Sequence, residues 1–143
     1  MFILYKIYFG DDLAYLGRTR QPLKRRLHGH FFKKKFHKCI DIFKVTRIEF
    51  AELQSCADMY LYEIYYINLL RPLLNCNDLA PDNLTVALPE IIFDVFECDL
   101  MEKWCAEYET KMAEYEEKKR IRREMMREKR LLLQQQKSDS NTY

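Results

Sequence analysis

The sequence predicts an α+β fold, with a small three-stranded antiparallel sheet flanked by helices and followed by a long C-terminal helix. Two observations support this fold class. Segments rich in Ile, Tyr and Phe, separated by turn residues, lie near the N-terminus and again before the middle of the chain, as is typical of strands. After residue 88 the 143-residue chain is strongly charged and contains no Gly, and its one proline there, Pro89, suits the first position of a helix.

The N-terminal segment is predicted to form a β-hairpin. Residues 1–9 have the apolar and aromatic composition of a strand, and the Gly-Asp-Asp sequence over 10–12 has the composition of a turn. Residues 13–16 are expected to form the second strand. Gly17 is expected to end that strand, at a point where the backbone needs a close approach or a positive φ.

A basic helix is predicted over residues 23–32. Leu23 and Leu27 repeat at helical spacing and are expected to face the core. Arg26 and His30 are four residues apart, so a helix places them together on one face, next to the face that carries Leu23 and Leu27.

A third strand and a second helix are predicted in the middle of the chain. Residues 42–53 are rich in β-branched and aromatic side chains, which favours a strand. The helix over 55–70 opens with Ser55, a candidate N-cap, and Pro72 prevents it from continuing. This helix is apolar almost all round, which indicates a position in the core.

Two units are expected along the chain. The first is a domain over residues 1–88, in which residues 84–88 form a short extra strand or an extended arm. The second is a long charged helix over residues 89–136, a candidate for DNA binding or for coiled-coil self-association into a homodimer. The remaining residues, 137–143, are predicted to be disordered.

The charge is unevenly distributed, although the formal net charge is only +2. Residues 18–47 contain eleven Lys or Arg and one acidic residue, residues 48–117 contain three basic and sixteen acidic residues, and residues 118–130 contain eight basic and two acidic residues. The first basic stripe indicates a polyanion such as DNA, with a solvated face as the alternative. Its candidate nucleic-acid-binding residues are Arg18, Arg20, Lys24, Arg25, Lys33, Lys34 and Lys35.

The five cysteines are interpreted as reduced thiols, because they form no C-x-x-C pair and have no histidine at zinc-finger spacing. The apolar N-terminus is interrupted by Lys6, which argues against a signal peptide. No apolar run reaches the ~18 residues that a membrane span requires. A cytoplasmic protein without a membrane partner is therefore expected.

Several polar side chains have both a structural and a chemical interpretation. Glu63 lies in the apolar second helix. If its carboxylate is buried there, it needs an ion-pair partner or a bound cation, and the alternative is that it is exposed. Arg26 can hold a phosphate through two parallel hydrogen bonds, or be one more surface arginine. His30 can transfer protons or bind phosphate, or lie at the surface. Tyr5 and Tyr15 can be core aromatics of the hairpin whose hydroxyls lie at its edge.

The two strands carry motifs that resemble those of the GIY-YIG nuclease family. Residues 3–5, Ile-Leu-Tyr, stand where the family has Gly-Ile-Tyr, so that Ile3 replaces the first Gly. Residues 15–17, Tyr-Leu-Gly, stand where it has Tyr-Ile-Gly. Tyr8 is an alternative first tyrosine, but Tyr5 leaves a more typical gap to Tyr15.

The two helices complete the resemblance, which covers about half of the chain. The segment LKRRLHGH carries Arg26 and His30 at the matching positions of the family's helix motif. The segment YEIYYINLLRPLLN carries Glu63, then Pro72 and the terminal Asn75.

The resemblance implies a small stand-alone endonuclease of phage or mobile-element type, which hydrolyses DNA phosphodiester bonds with one Mg²⁺ or Mn²⁺. Glu63 would bind the metal ion, and Tyr5 would take a proton from the attacking water. A free phenol has a pKa of about 10, so Tyr5 is expected to need cationic neighbours that lower its pKa. The cations expected there are Arg18, Arg26 and His30. The implied catalytic residues are Tyr5, Tyr15, Arg26, His30 and Glu63, supported by Gly17 and Asn75.

Two other functions are compatible with the sequence. One is a catalytically idle protein of the same fold that binds nucleic acid. The other is an interaction protein whose long C-terminal helix mediates assembly and which needs no metal ion. The full set of Tyr, Arg, His and Glu at the motif positions favours the nuclease, since an idle copy would be free to lose some of them.

Overall fold

The structure is a computed structural model that describes residues 1–32, 40–97 and 99–140, the last four of these for their backbone only. The predicted α+β fold class, the antiparallel sheet and the long C-terminal helix are confirmed. The elements in chain order are β1 (Ile3–Phe9), β2 (Asp12–Thr19), α1 (Leu23–Phe32), a 3₁₀ turn (Ile42–Lys44), β3 (Val45–Glu52), α2 (Cys56–Leu70), β4 (Asp94–Val95) and α3 (Leu100–Ser140).

The chain divides into two units after Trp104. The first unit, Met1–Trp104, contains the sheet, α1, α2 and the first turn of α3. The second unit begins at Cys105, and its described residues are the rest of α3. The boundary predicted at residue 88 precedes β4, which belongs to the first unit because it pairs with β3.

β1 is a central strand of the sheet, whose order is β2-β1-β3-β4 and whose neighbouring strands are all antiparallel. Tyr5 pairs with Gly17 of β2 on one side and with Phe50 of β3 on the other. Gly17 therefore lies inside β2 and does not end it, since the strand continues to Thr19. Successive side chains of a strand point to opposite faces, so Tyr5 and Tyr8 lie on different faces of the sheet.

The sheet has four strands, not the three predicted from the sequence. β4 pairs Val95 with Glu49 and Asp94 with Phe50, along the edge of β3 that faces away from β1. A two-residue strand is too short to show an alternating pattern, which needs about four to eight residues. The sequence pattern therefore did not indicate it.

The long helix begins at Leu100, and the prediction that it starts near Glu90 is wrong. Residues 91 and 93 contact other parts of the first unit, and these contacts compete with helix formation before Leu100. The backbone N–H of Ile91 donates a hydrogen bond of 3.1 Å to the Tyr66 hydroxyl. The Phe93 ring lies 3.6 Å from the Lys6 ammonium and packs edge-on against the Tyr66 ring.

Two further boundaries differ from the prediction. Residues 84–88 form no strand. The backbone of residues 137–140 is helical, because α3 continues to Ser140, whereas these residues were predicted to be disordered. The rest of that predicted disordered tail, residues 141–143, lies outside the described residues.

α1 and α2 supply the helical part of the core. Leu23 and Leu27 of α1 are buried, as their spacing predicted. α2 contributes residues 65–67 to a buried cluster with Leu4 and Leu16 of the hairpin.

α2 is capped as predicted but is not buried all round. The Ser55 side chain accepts a 3.0 Å hydrogen bond from the Asp58 backbone N–H, which satisfies one of the free donors at the helix N-terminus. Leu61 and Ile64 are each about half exposed, so one apolar side of the helix faces solvent. No helix in the described part of the chain combines the length and the apolar composition that crossing a bilayer requires.

Candidate active site

The buried Tyr5 hydroxyl is the point at which β1 and α1 meet. It hydrogen-bonds the Nε2 atom of His30, and it accepts a 3.2 Å hydrogen bond from the Nε–H of Arg26. An arginine can only donate, so the Tyr5 proton is left available for His30. In the His30 tautomer with its proton on Nδ1, the Tyr5 hydroxyl therefore donates to Nε2. The four-residue spacing of Arg26 and His30 brings both side chains of α1 to this hydroxyl, as the sequence predicted.

Tyr15 lies beside the same group. Its ring centroid is 6.1 Å from that of Tyr5 and 5.2 Å from that of His30. Tyr15 is half-buried, so it forms the more accessible side of the pair. The electrostatic influence of Arg26 and a side-chain hydrogen bond from it reach Tyr15 as well as Tyr5.

Gly17 makes this close packing possible. A Cβ atom at position 17 would lie 2.6 Å from the Tyr15 ring and 2.7 Å from the Tyr5 hydroxyl oxygen, distances that real Cβ atoms do not adopt. Gly17 is therefore required by the close approach, and not by a positive φ, which among the described glycines is found at Gly10. The close approach predicted as one of two reasons for a glycine at this position is therefore the one found.

Glu63 of α2 forms an ion pair with Arg18 of β2, in which the Arg18 Nε–H donates to the Glu63 Oε2 atom. The Glu63 side chain is 14% exposed. Of the two interpretations open for Glu63, a paired and largely buried carboxylate is thus the one found. Arg18, predicted to bind nucleic acid, is held in the free protein by this carboxylate and by the Tyr60 ring, whose centroid is 3.6 Å from the Arg18 guanidinium carbon.

A cavity of about 350 Å³ lies between Arg26 and the Arg18–Glu63 ion pair. Its polar wall includes the guanidinium groups of Arg18, Arg20 and Arg26 together with the Glu63 carboxylate. The negative charge of Glu63 raises the pKa of both Tyr5 and Tyr15, so it acts on both hydroxyls. The complete lining is Arg18, Thr19, Arg20, Gln21, Arg26, Met59, Tyr60 and Glu63.

The pKa of Tyr5 is raised far above its ordinary value, which corrects the expectation that cationic neighbours lower it. Burial is the largest cause, and the charge of Tyr15 adds to it, whereas Arg26 opposes both. Burial also raises the pKa of Tyr15, again against the effect of Arg26. Both phenols are therefore protonated at neutral pH in the free protein.

His30 is not one of the expected cations either. Burial and the nearby positive charge of Arg26 lower the His30 pKa to about 4. The imidazole is therefore neutral at pH 7 and can accept the Tyr5 proton. Of the three expected cations only Arg26 acts on Tyr5 as such, because Arg18 is paired with Glu63.

The pKa of Glu63 is also raised, because burial penalises its charged form more than the Arg18 guanidinium favours it. Partial burial of a carboxylate in this way strengthens its attraction for a cation, since less water competes. Glu63 is thus electrostatically suited to hold either a guanidinium or a divalent metal ion.

Asn75, which follows α2, is hydrogen-bonded to β2. Its side-chain oxygen accepts a 2.9 Å hydrogen bond from the Leu16 N–H, and its side-chain amide donates a 2.8 Å hydrogen bond to the Leu16 carbonyl. The backbone N–H groups of Leu73 and Leu74 donate to Leu13 and Ala14. These contacts hold the strand that carries Tyr15 and Gly17, which is the bracing expected for Asn75.

Tyr8, the alternative first tyrosine, lies apart from this group. Its hydroxyl donates a 3.0 Å hydrogen bond to Glu49, and the Arg47 guanidinium lies 4.1 Å above its ring. Tyr8 is therefore not part of the group that Tyr5 forms with Arg26 and His30.

The other candidate nucleic-acid-binding residues are spread around the first unit. Arg20 is exposed and lines the cavity of about 350 Å³. Lys24 and Arg25 are exposed on α1 and line a second cavity, of about 310 Å³, beside Trp104. Lys33, Lys34 and Lys35 lie outside the described residues.

Tyr60 contacts Arg18 and is 46% exposed, and it was not among the site residues predicted from the sequence. A signal for it existed, because Tyr60 precedes Glu63 by three residues and such pairs share one face of a helix. Thr19 and Gln21 also line the cavity, and no pattern in the sequence distinguished them.

The donor set allows a metal ion with few protein ligands. No three His, Cys, Asp or Glu side chains converge anywhere in the described ranges, and Glu63 is the carboxylate in the lining of the cavity that could bind a metal ion. Mg²⁺ is commonly held in this way, by one or two carboxylates together with water and substrate phosphate oxygens. The residues present fit such an ion if the substrate supplies the remaining oxygens.

Comparisons of this chain with models of protein families, with curated proteins and with solved structures found no match.

Proposed function

We propose that this protein is a divalent-metal-dependent endonuclease that hydrolyses phosphodiester bonds of DNA. One observation carries the proposal: Arg26 donates a hydrogen bond to the buried Tyr5 hydroxyl, which also contacts His30, and the same Arg26 lines one cavity with Glu63. A buried hydroxyl between a neutral base and a fixed cation, near a partly buried carboxylate, is suited to activating water against a phosphate.

Tyr5 and His30 are proposed to move the proton. The Tyr5 oxygen accepts a proton from the attacking water while the Tyr5 hydroxyl proton passes to Nε2 of His30. This transfer avoids an isolated phenolate, which burial makes unfavourable in the free protein. The low pKa of His30 keeps it unprotonated and ready to accept at neutral pH.

Arg26 and Tyr15 are proposed to position the phosphate. Arg26 donates to the Tyr5 hydroxyl through Nε, and the other nitrogens of a guanidinium can donate to phosphate oxygens. Positive charge fixed there stabilises the negative charge that grows on the phosphate during attack. Tyr15, as the more accessible phenol, orients the phosphate or the water.

Glu63 is proposed to hold Mg²⁺ or Mn²⁺. A divalent ion held by this carboxylate would neutralise phosphate charge and stabilise the leaving 3′ oxygen. Glu63 raises the pKa of Tyr5 through its own negative charge, so neutralising that charge makes loss of the Tyr5 proton easier.

A catalytically idle protein that binds nucleic acid through the same cavity is the second candidate. The Arg18–Glu63 ion pair favours it, because the carboxylate proposed to bind metal already has a cationic partner. The two candidates make opposite predictions for a cleavage assay.

The decisive experiment incubates the full chain with linear, branched and single-stranded DNA, and with RNA, in Mg²⁺, Mn²⁺ or EDTA. We expect cleavage of DNA that EDTA stops, and we expect Glu63→Gln to slow it at least about a hundredfold while leaving DNA affinity largely intact. The matched control is Glu52→Gln, which neutralises an exposed carboxylate at the end of β3. Cleavage by Glu63→Gln at the wild-type rate would disprove the proposed role of Glu63.

A further inference from the structure

We propose that Arg18 is a positioning residue that occupies the Glu63 carboxylate in the free protein and leaves it for a phosphodiester, so that cation binding at Glu63 is coupled to nucleic-acid binding. This inference rests on the proposed function. The Arg18 Nε–H donates to the Glu63 Oε2 atom, and the Tyr60 ring lies against the same guanidinium. Both of these side-chain contacts of Arg18 are with residues of α2.

Arg18 and a divalent cation compete for one negative charge. Glu63 is a single carboxylate, and within the described residues it lacks the two further acidic, His or Cys side chains that would make a metal-binding group. A guanidinium and a divalent ion at the same carboxylate repel each other, and partial burial of Glu63 leaves little water to screen that repulsion. The ion pair must therefore weaken cation binding as long as it lasts.

A phosphate in the cavity gives Arg18 another partner. Arg18, Arg20 and Arg26 line the same space of about 350 Å³, and Glu63 is the one carboxylate in that lining. A planar guanidinium pairs with a phosphate through two parallel hydrogen bonds, so Arg18 loses little when it exchanges the carboxylate for a phosphate. Its side chain is 32% exposed, which leaves it room to turn.

Tyr60 allows Arg18 to turn without leaving the site. The guanidinium carbon is 3.6 Å from the Tyr60 ring centroid, a stacking contact that does not depend on which hydrogen bonds the guanidinium edge makes. Tyr60 thus retains Arg18 at the cavity in both arrangements. The ring, and not the hydroxyl, performs this role.

The first test measures Mn²⁺ binding to the full chain without nucleic acid, by electron paramagnetic resonance of free Mn²⁺. We expect Arg18→Gln to bind Mn²⁺ about tenfold more tightly than wild type, since the competing cation is gone. The control Arg47→Gln removes the same charge from a residue paired with Glu49 away from the cavity, and should stay within about twofold of wild type. Damage to the fold lowers affinity, so a gain is not explained by misfolding.

Tyr60 variants supply a test that does not disturb the ion pair directly. Tyr60 is 46% exposed, so its substitution should leave the fold intact. We expect Tyr60→Leu to tighten Mn²⁺ binding about threefold, because Arg18 is held less firmly, and Tyr60→Phe to behave as wild type. Equal affinities for Tyr60→Leu and Tyr60→Phe would contradict the role of the ring.

The coupling itself is measured by the anisotropy of a labelled DNA duplex titrated with protein, with and without Ca²⁺. In wild type we expect Ca²⁺ to strengthen DNA binding at least about fivefold, and in Arg18→Gln we expect this factor to fall below about twofold. An unchanged factor, or Mn²⁺ affinity that does not rise in Arg18→Gln, would overturn the inference. If Glu63→Gln is inactive at the same time, the proposed nuclease function survives and only the role of Arg18 fails.

Discussion

The Tyr5 hydroxyl lies between an acceptor, His30, and a cation, Arg26, on a side chain that is fully buried. Burial and Arg26 have opposite effects on the Tyr5 pKa. Arg26 favours the phenolate, whereas burial favours the phenol and prevails in the free protein. At the scale of single residues, the reactivity of the site therefore depends on what enters the cavity and changes this balance.

Gly17→Ala tests how tightly the two tyrosines are packed. The added Cβ would lie 2.7 Å from the Tyr5 hydroxyl oxygen, so the ring must move. We expect unfolding free energy to fall by about 1 to 3 kcal/mol and cleavage by the folded protein to fall as well, measured by urea denaturation and by the nuclease assay.

Gly10→Ala is the matched control for Gly17→Ala. Gly10 has a φ of 61° and open space around its missing Cβ. This variant should lose about 1 to 2 kcal/mol through backbone strain alone and keep the activity of its folded fraction. Full activity in Gly17→Ala would show that the close approach does not matter to the site.

His30 makes stability depend on pH in an unusual direction for a histidine that has a hydrogen-bond partner. Its pKa is lowered from 6.5 to about 4 in the folded chain, so the unfolded chain takes up the proton at higher pH. Stability is therefore fully present above pH 6.5 and is lost as the pH falls toward 4, by up to about 3 kcal/mol.

Urea denaturation between pH 7 and pH 4 measures this loss. The variant His30→Gln removes the titration, so the difference in unfolding free energy between wild type and variant should shrink on acidification. A constant difference across this range would mean that the His30 pKa is not lowered.

The sequence predicted which side chains of α1 lie together better than it predicted the protonation of the groups around Tyr5. Arg26 and His30 could be placed together because helical spacing is a local property. The pairing of Arg18 with Glu63 depends on how α2 is placed against β2, which no local pattern describes. The pKa shifts of Tyr5 and His30 depend on burial, which arises only when the chain is folded.

At the scale of elements, a helix with clear signals at both ends was predictable. A segment whose conformation depends on contacts with residues distant in the sequence was not. Ser55 and Pro72 delimit α2 because capping and the loss of an N–H act on neighbouring residues. The segment after Pro89 has helix-forming residues, yet Phe93 and Ile91 contact Lys6 and Tyr66 instead. Such distant partners override local helix preference.

Truncation tests the contribution of β4 and the start of α3 to the first unit. A chain that ends at Leu88 lacks Phe96, whose ring packs on Phe50, and Trp104, whose ring centroid is 5.8 Å from that of Phe31. We expect its unfolding free energy to be at least about 3 kcal/mol lower than that of the full chain, measured by urea denaturation. A chain that ends at Tyr108 keeps these contacts and should unfold near the free energy of the full chain. Equal stability of both truncations would contradict this account.

At the scale of the whole molecule, positive charge occurs in both units. In the first unit it lines the candidate active site through Arg18, Arg20 and Arg26. In the second unit five basic side chains and Met126 of α3 line a groove of about 430 Å³. The acidic part of α3 has its own ion pairs, such as Lys111 with Glu107. Under the proposed function, both basic surfaces are available to DNA phosphates.

The triple variant Arg122→Gln, Arg123→Gln and Arg127→Gln tests whether α3 contacts DNA. Log affinity falls with log salt concentration, and each lost phosphate contact makes this fall shallower by about 0.9. Loss of three contacts should therefore reduce the magnitude of the slope by about 2 to 3. The control Glu109→Gln with Glu114→Gln alters exposed acidic residues of the same helix and should not reduce the magnitude of the slope.

Because α3 residues 105–140 form a unit separate from the candidate active site, the rate of cleavage at saturating DNA should change little in the triple variant. An unchanged slope together with a halved molecular mass in sedimentation equilibrium would instead assign these arginines to pairing with a second copy of the chain.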